Sequence, residues 1–147
     1  MGTTTFSGPV KAGTIREGAS ANAGFALMAQ SAKITFAADG TTTVVARIPA
    51  NSQIFQITVD VTTAFNAGSA NTLDIGDGTT ADKFADALAL GSAARVLATS
   101  DVSQIGNLID IGTSDVAVTT TYNQSGSAAD AGAATVTVLY IQNNNLS

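Results

Sequence analysis

The chain has 147 residues, a length that fits one domain and at most two, and it contains neither cysteine nor histidine. These absences exclude disulfides, thiolate nucleophiles, Ser-His-Asp triads and His–Cys zinc sites, so the sequence predicts a protein that is not an enzyme and uses no cofactor. Eleven acidic and six basic residues give a net charge of −5, and the basic residues are scattered, which argues against nucleic-acid binding.

Charged residues make up 12% of the chain, against about 25% in ordinary soluble domains. A weakly charged surface suits contact with another protein, since little charge must lose its water. No apolar stretch approaches the roughly 18 residues of a membrane helix, and the N-terminus lacks the apolar core of a signal peptide. We therefore expect no membrane association. We also expect synthesis in the cytoplasm, or else a targeting signal that lies outside this sequence.

The first half of the chain predicts an arm followed by strands. Residues 1–24 are glycine-rich and indicate an extended N-terminal arm. A strand region over 25–37 is followed by an Asp39-Gly40 hairpin turn. Strands over 42–48 and 52–62 are expected to form a second hairpin through a turn at 49–52. In the latter strand, alternation places one set of side chains on a common face: Phe55, Ile57, Val59 and Val61.

The second half predicts four more strands, over residues 94–98, 108–111, 116–122 and 135–142. The last has apolar residues on both faces and is predicted to be central and buried on both sides. Residues 81–90 are the one helix candidate, with a single turn or a bent strand as alternatives. Residues 123–132 are predicted to be an exposed loop that joins a final hairpin.

This spacing of short strands predicts an all-β fold, a jelly-roll-like sandwich or barrel. We expect a single β-sandwich domain over 25–142, with a short C-terminal tail over 143–147. The pattern N-x-[LI]-D-I-G occurs at both 71–76 and 107–112, which indicates either a duplicated strand or simply two strands that end in a glycine turn.

Two features suggest a binding role. Asp74, Asp77 and Asp82 lie in a glycine-rich stretch that could offer oxygens to calcium, although aspartate is also an ordinary turn residue and no metal site is predicted. The N-terminal arm carries scattered apolar residues, which either dock on a neighbouring protein or form an edge strand of the same domain. The residues predicted to bind a partner lie in this arm and in the tail: Phe6, Val10, Ile15, Arg16 and Leu146.

The threonine-rich start, the segment LDIGDGTTADKFADAL (73–88) and the closing strand ATVTVLYIQ (134–142) resemble small virion proteins of tailed bacteriophages, in particular capsid decoration (cement) proteins. The resemblance covers about two-thirds of the chain and carries over no catalytic or ligand residue. It implies a jelly-roll-like or β-tulip domain on the outside of the phage head.

As a decoration protein, the chain would form a homotrimer at three-fold positions, bind the major capsid protein and stabilise the expanded shell. It would be made in the cytoplasm of the bacterial host. The alternatives are a receptor-binding domain of a fibre or tail, and a non-viral surface-layer or adhesin domain.

Overall fold

The computed structural model describes residues 25–98 and 111–143. Within these residues the chain forms eight strands and one short 3-10 turn, Phe36–Ala38. In chain order the strands are β1 (Phe25–Thr35), β2 (Thr42–Ile48), β3 (Ser52–Thr63), β4 (Ala70–Gly76), β5 (Ala85–Ala89), β6 (Arg95–Leu97), β7 (Val116–Ser125) and β8 (Ala133–Asn143).

The strands form two four-stranded antiparallel sheets, with the order β1-β8-β3-β6 in the first and β2-β7-β4-β5 in the second. Strands pair in a nested way, first with last: β1 with β8, β2 with β7, β3 with β6 and β4 with β5. The additional pairs β3–β8 and β4–β7 join these ribbons into sheets. Such an arrangement is a long hairpin rolled around a core, which is the jelly-roll form of the β-sandwich. The predicted fold class is confirmed.

The predicted hairpins are wrong, although their turns exist. Gly40 and Asn51 adopt positive φ angles of 64° and 58°, as tight turns require. However, β1, β3 and β8 lie in the first sheet while β2 and β7 lie in the second. The turns after β1 and β2, and the loop before β8, therefore carry the chain between the sheets. Turn residues indicate a reversal of the chain but not the partner strand.

Residues 81–90 do not form the candidate helix, and the alternative of a turn or a bent strand is the one found, because this segment forms a turn and then strand β5. Phe84, Ala85 and Leu88 are buried as a helical face would bury them, so the apolar spacing alone could not separate the alternatives. Ala87 has a φ angle of 49°, which interrupts the strand where its N–H donates to the Asp74 carboxylate at 2.9 Å.

The core lies between the two sheets, and β8 is central in the first of them, as predicted. One face of β8 is fully buried, whereas the other is only half-buried. A bulge in β3 between Ile54 and Gln56 moves Phe55 out of the predicted inward row. Ile54 is 3% exposed in its place, while Phe55 is 60% exposed.

Some expectations concern residues outside the described part. Only Ile111 remains of the predicted strand at 108–111, and it lies in no strand. Likewise, the first N-x-[LI]-D-I-G segment forms β4, but most of the second falls outside. The N-terminal arm and the C-terminal tail, apart from Asn143 at the end of β8, lie outside as well.

The corner between the sheets is joined by one glutamine. The Gln30 side chain, on β1, donates to the Arg47 carbonyl at 2.7 Å and accepts from the Arg47 N–H at 2.9 Å. Its amide nitrogen also reaches the Tyr140 hydroxyl at 3.2 Å. The side chain thus acts as a backbone substitute that links the edge strands β1 and β2.

Replacing Gln30 by alanine is expected to lower the free energy of unfolding by about 1–2 kcal/mol, because both backbone groups of Arg47 lose their partner. Gln53, an exposed glutamine on β3, provides the control, and Gln53→Ala should change stability by less than about 0.5 kcal/mol. Urea denaturation measures both variants. Equal losses of unfolding free energy in the two variants would show that the hydrogen bonds of Gln30 between β1 and β2 make no specific contribution to stability.

Candidate protein-docking surface

The outward face of the second sheet is polar, and its side chains satisfy one another. Thr42 and Thr121 share a hydroxyl–hydroxyl hydrogen bond of 2.9 Å across β2 and β7. The Asn123 amide donates to Asp74 at 2.7 Å across β7 and β4. The Thr119 hydroxyl accepts from the Gly78 N–H at 3.1 Å. This face offers few unmet hydrogen-bonding groups and little apolar area to a partner.

The outward face of the first sheet is different, because apolar side chains meet at one end of it. The β1–β8 register places Leu27 opposite Ile141 and Ala29 opposite Leu139. On the other side of β8, the bulge at Phe55 lies beside Leu139. We call these five residues the apolar patch: Leu27, Ala29, Phe55, Leu139 and Ile141.

Exposure distinguishes the apolar patch from ordinary surface residues. Leu27 is 61% exposed and Phe55 is 60% exposed, while Leu139 and Ile141 are half-buried between them. Scattered apolar residues on a surface need no explanation, but a contiguous group is typical of a protein–protein contact. Val44, 45% exposed on the second sheet, is by comparison paired with a polar residue, Thr119.

Polar rows border the apolar patch farther along the same face. Ser31 and Thr137 share a hydrogen bond of 2.9 Å. One pair beyond them, Asp60 and Arg95 form an exposed ion pair of 2.6 Å between β3 and β6. The apolar patch therefore occupies one end of the sheet and has a polar rim, which is the usual anatomy of an interface.

The segments outside the described part adjoin the domain at this end of the first sheet. Phe25, where β1 starts, pairs with Asn143, and the next outward pair is Leu27–Ile141. The described ends of the chain at Phe25 and Asn143 thus lie beside the apolar patch. The chain returns from residues 99–110 nearby, since the Ile111 N–H donates to the Ser52 carbonyl at 3.3 Å at the start of β3.

The residues predicted to bind a partner all lie outside the described residues: Phe6, Val10, Ile15, Arg16 and Leu146. Sequence reasoning missed the apolar patch itself. The signal was present, since β8 alternates with apolar residues on both faces. Such a pattern predicts burial of both faces inside the domain, but the second face of a strand can also bind another protein.

The aspartates considered for calcium are engaged within the protein. Asp74 accepts hydrogen bonds from Asn123 and from the Ala87 N–H. Asp77 accepts from the N–H groups of Thr79 and Thr80 at 2.9 and 2.8 Å and forms an ion pair of 2.8 Å with Lys83. Among the described residues no group of three potential metal ligands converges, and no helix there is long and apolar enough to span a membrane.

The hydrogen bond from Lys83 lowers the pKa of Asp77 from 3.8 to about 2, with the two backbone N–H groups acting in the same direction and partial burial opposing them. Because the folded pKa lies below the unfolded one, this carboxylate stabilises the fold above pH 4, and the contribution is lost as the pH falls through 2. The shift corresponds to the order of 2 kcal/mol.

Accordingly, the Asp77→Asn variant is expected to be less stable than the native chain at pH 5 by about 2 kcal/mol, and the difference should shrink towards pH 2. A double-mutant cycle with Lys83→Met isolates the pair. Urea denaturation at several pH values is the measurement. A stability difference that does not depend on pH would contradict the assigned role of the carboxylate.

Two solved structures share this fold. A chain in the cyanophage Pam1 capsid asymmetric unit matches with a TM-score of 0.57 and 16% identity, covering 87% of this chain and 94% of that chain. A chain in the acidic stable capsid of Helicobacter pylori bacteriophage KHP30 matches with a TM-score of 0.52 and 16% identity, covering 79% and 87%. No protein-family model and no curated protein matches the sequence. The resemblance to phage virion proteins is therefore supported at the level of the fold, since both structures are phage capsids.

Proposed function

We propose that this protein is a structural component of a bacteriophage virion that binds the outer surface of the head and stabilises the lattice of the major capsid protein. The observation that carries the proposal is the asymmetry of the sandwich. One outward sheet face is polar and internally hydrogen-bonded, whereas the other has the apolar patch at the end where the N-terminal arm begins.

The fold supports this proposal through its neighbours. Chains in two phage capsid structures match this chain over 94% and 87% of their own lengths, so the whole domain, not a fragment of it, corresponds to a unit found in such particles. Low charge agrees with a role in protein–protein contact, because charged groups are depleted in the centres of interfaces.

Stabilisation of a shell by such a domain follows from mass action. A protein that binds the expanded shell but not the immature one lowers the free energy of the expanded state at every occupied site. At a free concentration 100 times the Kd, each site contributes about 2.7 kcal/mol. A homotrimer at a three-fold position would engage several capsid subunits at once, which raises the effective affinity without new contacts.

Heating phage heads that carry or lack this protein tests the proposal. Calorimetry should show a higher melting temperature for shells with the full-length protein. Shells decorated with the Phe55→Ser variant should melt lower than those with the control Val44→Ser, which removes a comparably exposed apolar residue from the second sheet. Equal melting of decorated and bare shells would refute the proposal, as would finding the protein only at the tail, where a receptor-binding domain belongs.

A further inference from the structure

We propose that residues 1–24 of one copy lie across the apolar patch of a second copy, so that the copies exchange N-terminal arms. Phe6, Val10 and Ile15 supply the apolar side chains of the arm, and Leu27, Phe55, Leu139 and Ile141 receive them. The inference rests on the proposed function and deepens it by naming the partner of the apolar patch: the patch joins copies into the oligomer that binds the shell, and other surfaces of that oligomer contact the major capsid protein.

The first argument is the place where the arm joins the domain. Phe25 opens β1 beside Asn143, one outward pair from Leu27 and Ile141. The arm is therefore joined to each copy at the border of one receiving surface, from which it can reach that of a neighbouring copy. Twenty-four residues precede Phe25, so the arm is long enough to cover a surface of this size.

The spacing of apolar residues within the arm favours a second copy over the arm's own patch. After Ile15, the nine residues from Arg16 to Gly24 contain no large apolar side chain. Extended, they span about 30 Å at roughly 3.3 Å per residue. A spacer of this length lets the apolar residues of the arm reach as far as a neighbouring copy, whereas reaching Leu27 of the same copy, two residues from Phe25, needs no spacer.

The size of the apolar patch is the third argument. Five side chains fall far short of the roughly 20–30 residues that each partner contributes to a standard interface. Two patches packed face to face would therefore form a weak pair, while an arm laid along the sheet adds a long stretch of contact. Because arm and patch are different surfaces, two copies can exchange arms reciprocally, or several copies can pass their arms around a ring where the rotation closes, of which a trimer is one case.

Disulfide trapping tests the exchange, and the chain suits it because it contains no cysteine. Two full-length variants, Val10→Cys and Phe55→Cys, are mixed and oxidised gently without any phage shell, and peptide mapping identifies the bonds. Val44→Cys, on the polar outward face, is the matched control for Phe55→Cys. The double variant Val10→Cys with Phe55→Cys asks whether the bond forms within one chain.

Exchange predicts that bonds between residues 10 and 55 of different chains form several-fold more often than bonds between 10 and 44. In the double variant it predicts covalent oligomers, not closed monomers. Equal yields with the control, or a bond mainly within single chains, would overturn the inference. Since no shell is present, such a result would leave the proposed function to be tested separately by the melting of decorated heads.

Discussion

The Gly76→Ala variant is expected to lose about 2–4 kcal/mol of unfolding free energy, one of the largest effects available from adding a single methyl group. Gly76 ends β4, and a Cβ there would collide with the carbonyl oxygen of Thr80 and lie 2.6 Å from the carbonyl carbon of Ala81. Both neighbours are backbone, so a rotamer change cannot relieve the contact. The turn that begins with the hydrogen bond from Asp77 N–H to Thr80 carbonyl would have to move.

Gly91→Ala is the matched control for this variant. A Cβ at Gly91 meets nothing within 4 Å, and the expected change is within about 0.5 kcal/mol. Urea denaturation followed by circular dichroism measures both. If Gly76→Ala were as stable as Gly91→Ala, the packing of residues 77–84 against the end of β4 would be wrong.

Phe65→Ala should cost about 3–5 kcal/mol, the range for removing a large aromatic side chain from a core. Phe65 is 2% exposed, and its ring lies 4.7 Å from that of Tyr122, centroid to centroid. Gly132 packs so closely on the same ring that a Cβ there would come within 2.5 Å of it. Phe65 therefore holds together the core and the loop that precedes β8.

A second phenylalanine provides the control for Phe65. At protein concentrations too low for copies to associate, Phe55→Ala removes the same side chain from a position that is 60% exposed in the single chain, and it should change stability by less than about 0.5 kcal/mol. Thermal and urea unfolding of the two variants compare the stability lost with a buried phenylalanine and with an exposed one. Similar losses would contradict the assignment of Phe55 to the outward face and of Phe65 to the core.

The positions of the strands were more predictable from the sequence than the pairing between strands. Period-two alternation located β2 and β3 to within one residue and β7 and β8 to within three, because alternation reflects local geometry. Pairing of β1 with β8 joins residues that are 98 to 118 positions apart, and nothing local encodes it. Glycine and asparagine turns therefore suggested hairpins, while the chain in fact crosses between sheets.

The remaining misses have local causes. A bulge shifts the alternation within β3, so the sequence placed Phe55 inward when it faces outward. In β5 the spacing of Phe84, Ala85 and Leu88 fits a helix as well as an irregular strand. Neither a bulge nor a left-handed Ala87 leaves a clear mark in the sequence, since the tertiary contacts that stabilise them come from other strands.

From the sequence, only the type of candidate site could be predicted, namely one that binds another protein. Low charge and apolar residues in the arm indicated a protein partner, but the surface that would receive one is assembled from β1, β3 and β8, which are distant in the chain. An apolar strand face looks the same in a sequence whether its own domain or another protein covers it. Only the sheet order reveals that this face of β8 points outward.

Binding of the purified full-length protein to emptied phage heads, compared between expanded and immature shells, is the decisive test of the proposed function. We expect saturable binding to the expanded shell, with a copy number fixed by its three-fold positions, and no saturable binding to the immature shell. Binding to neither shell, or equally to both, would contradict the proposal.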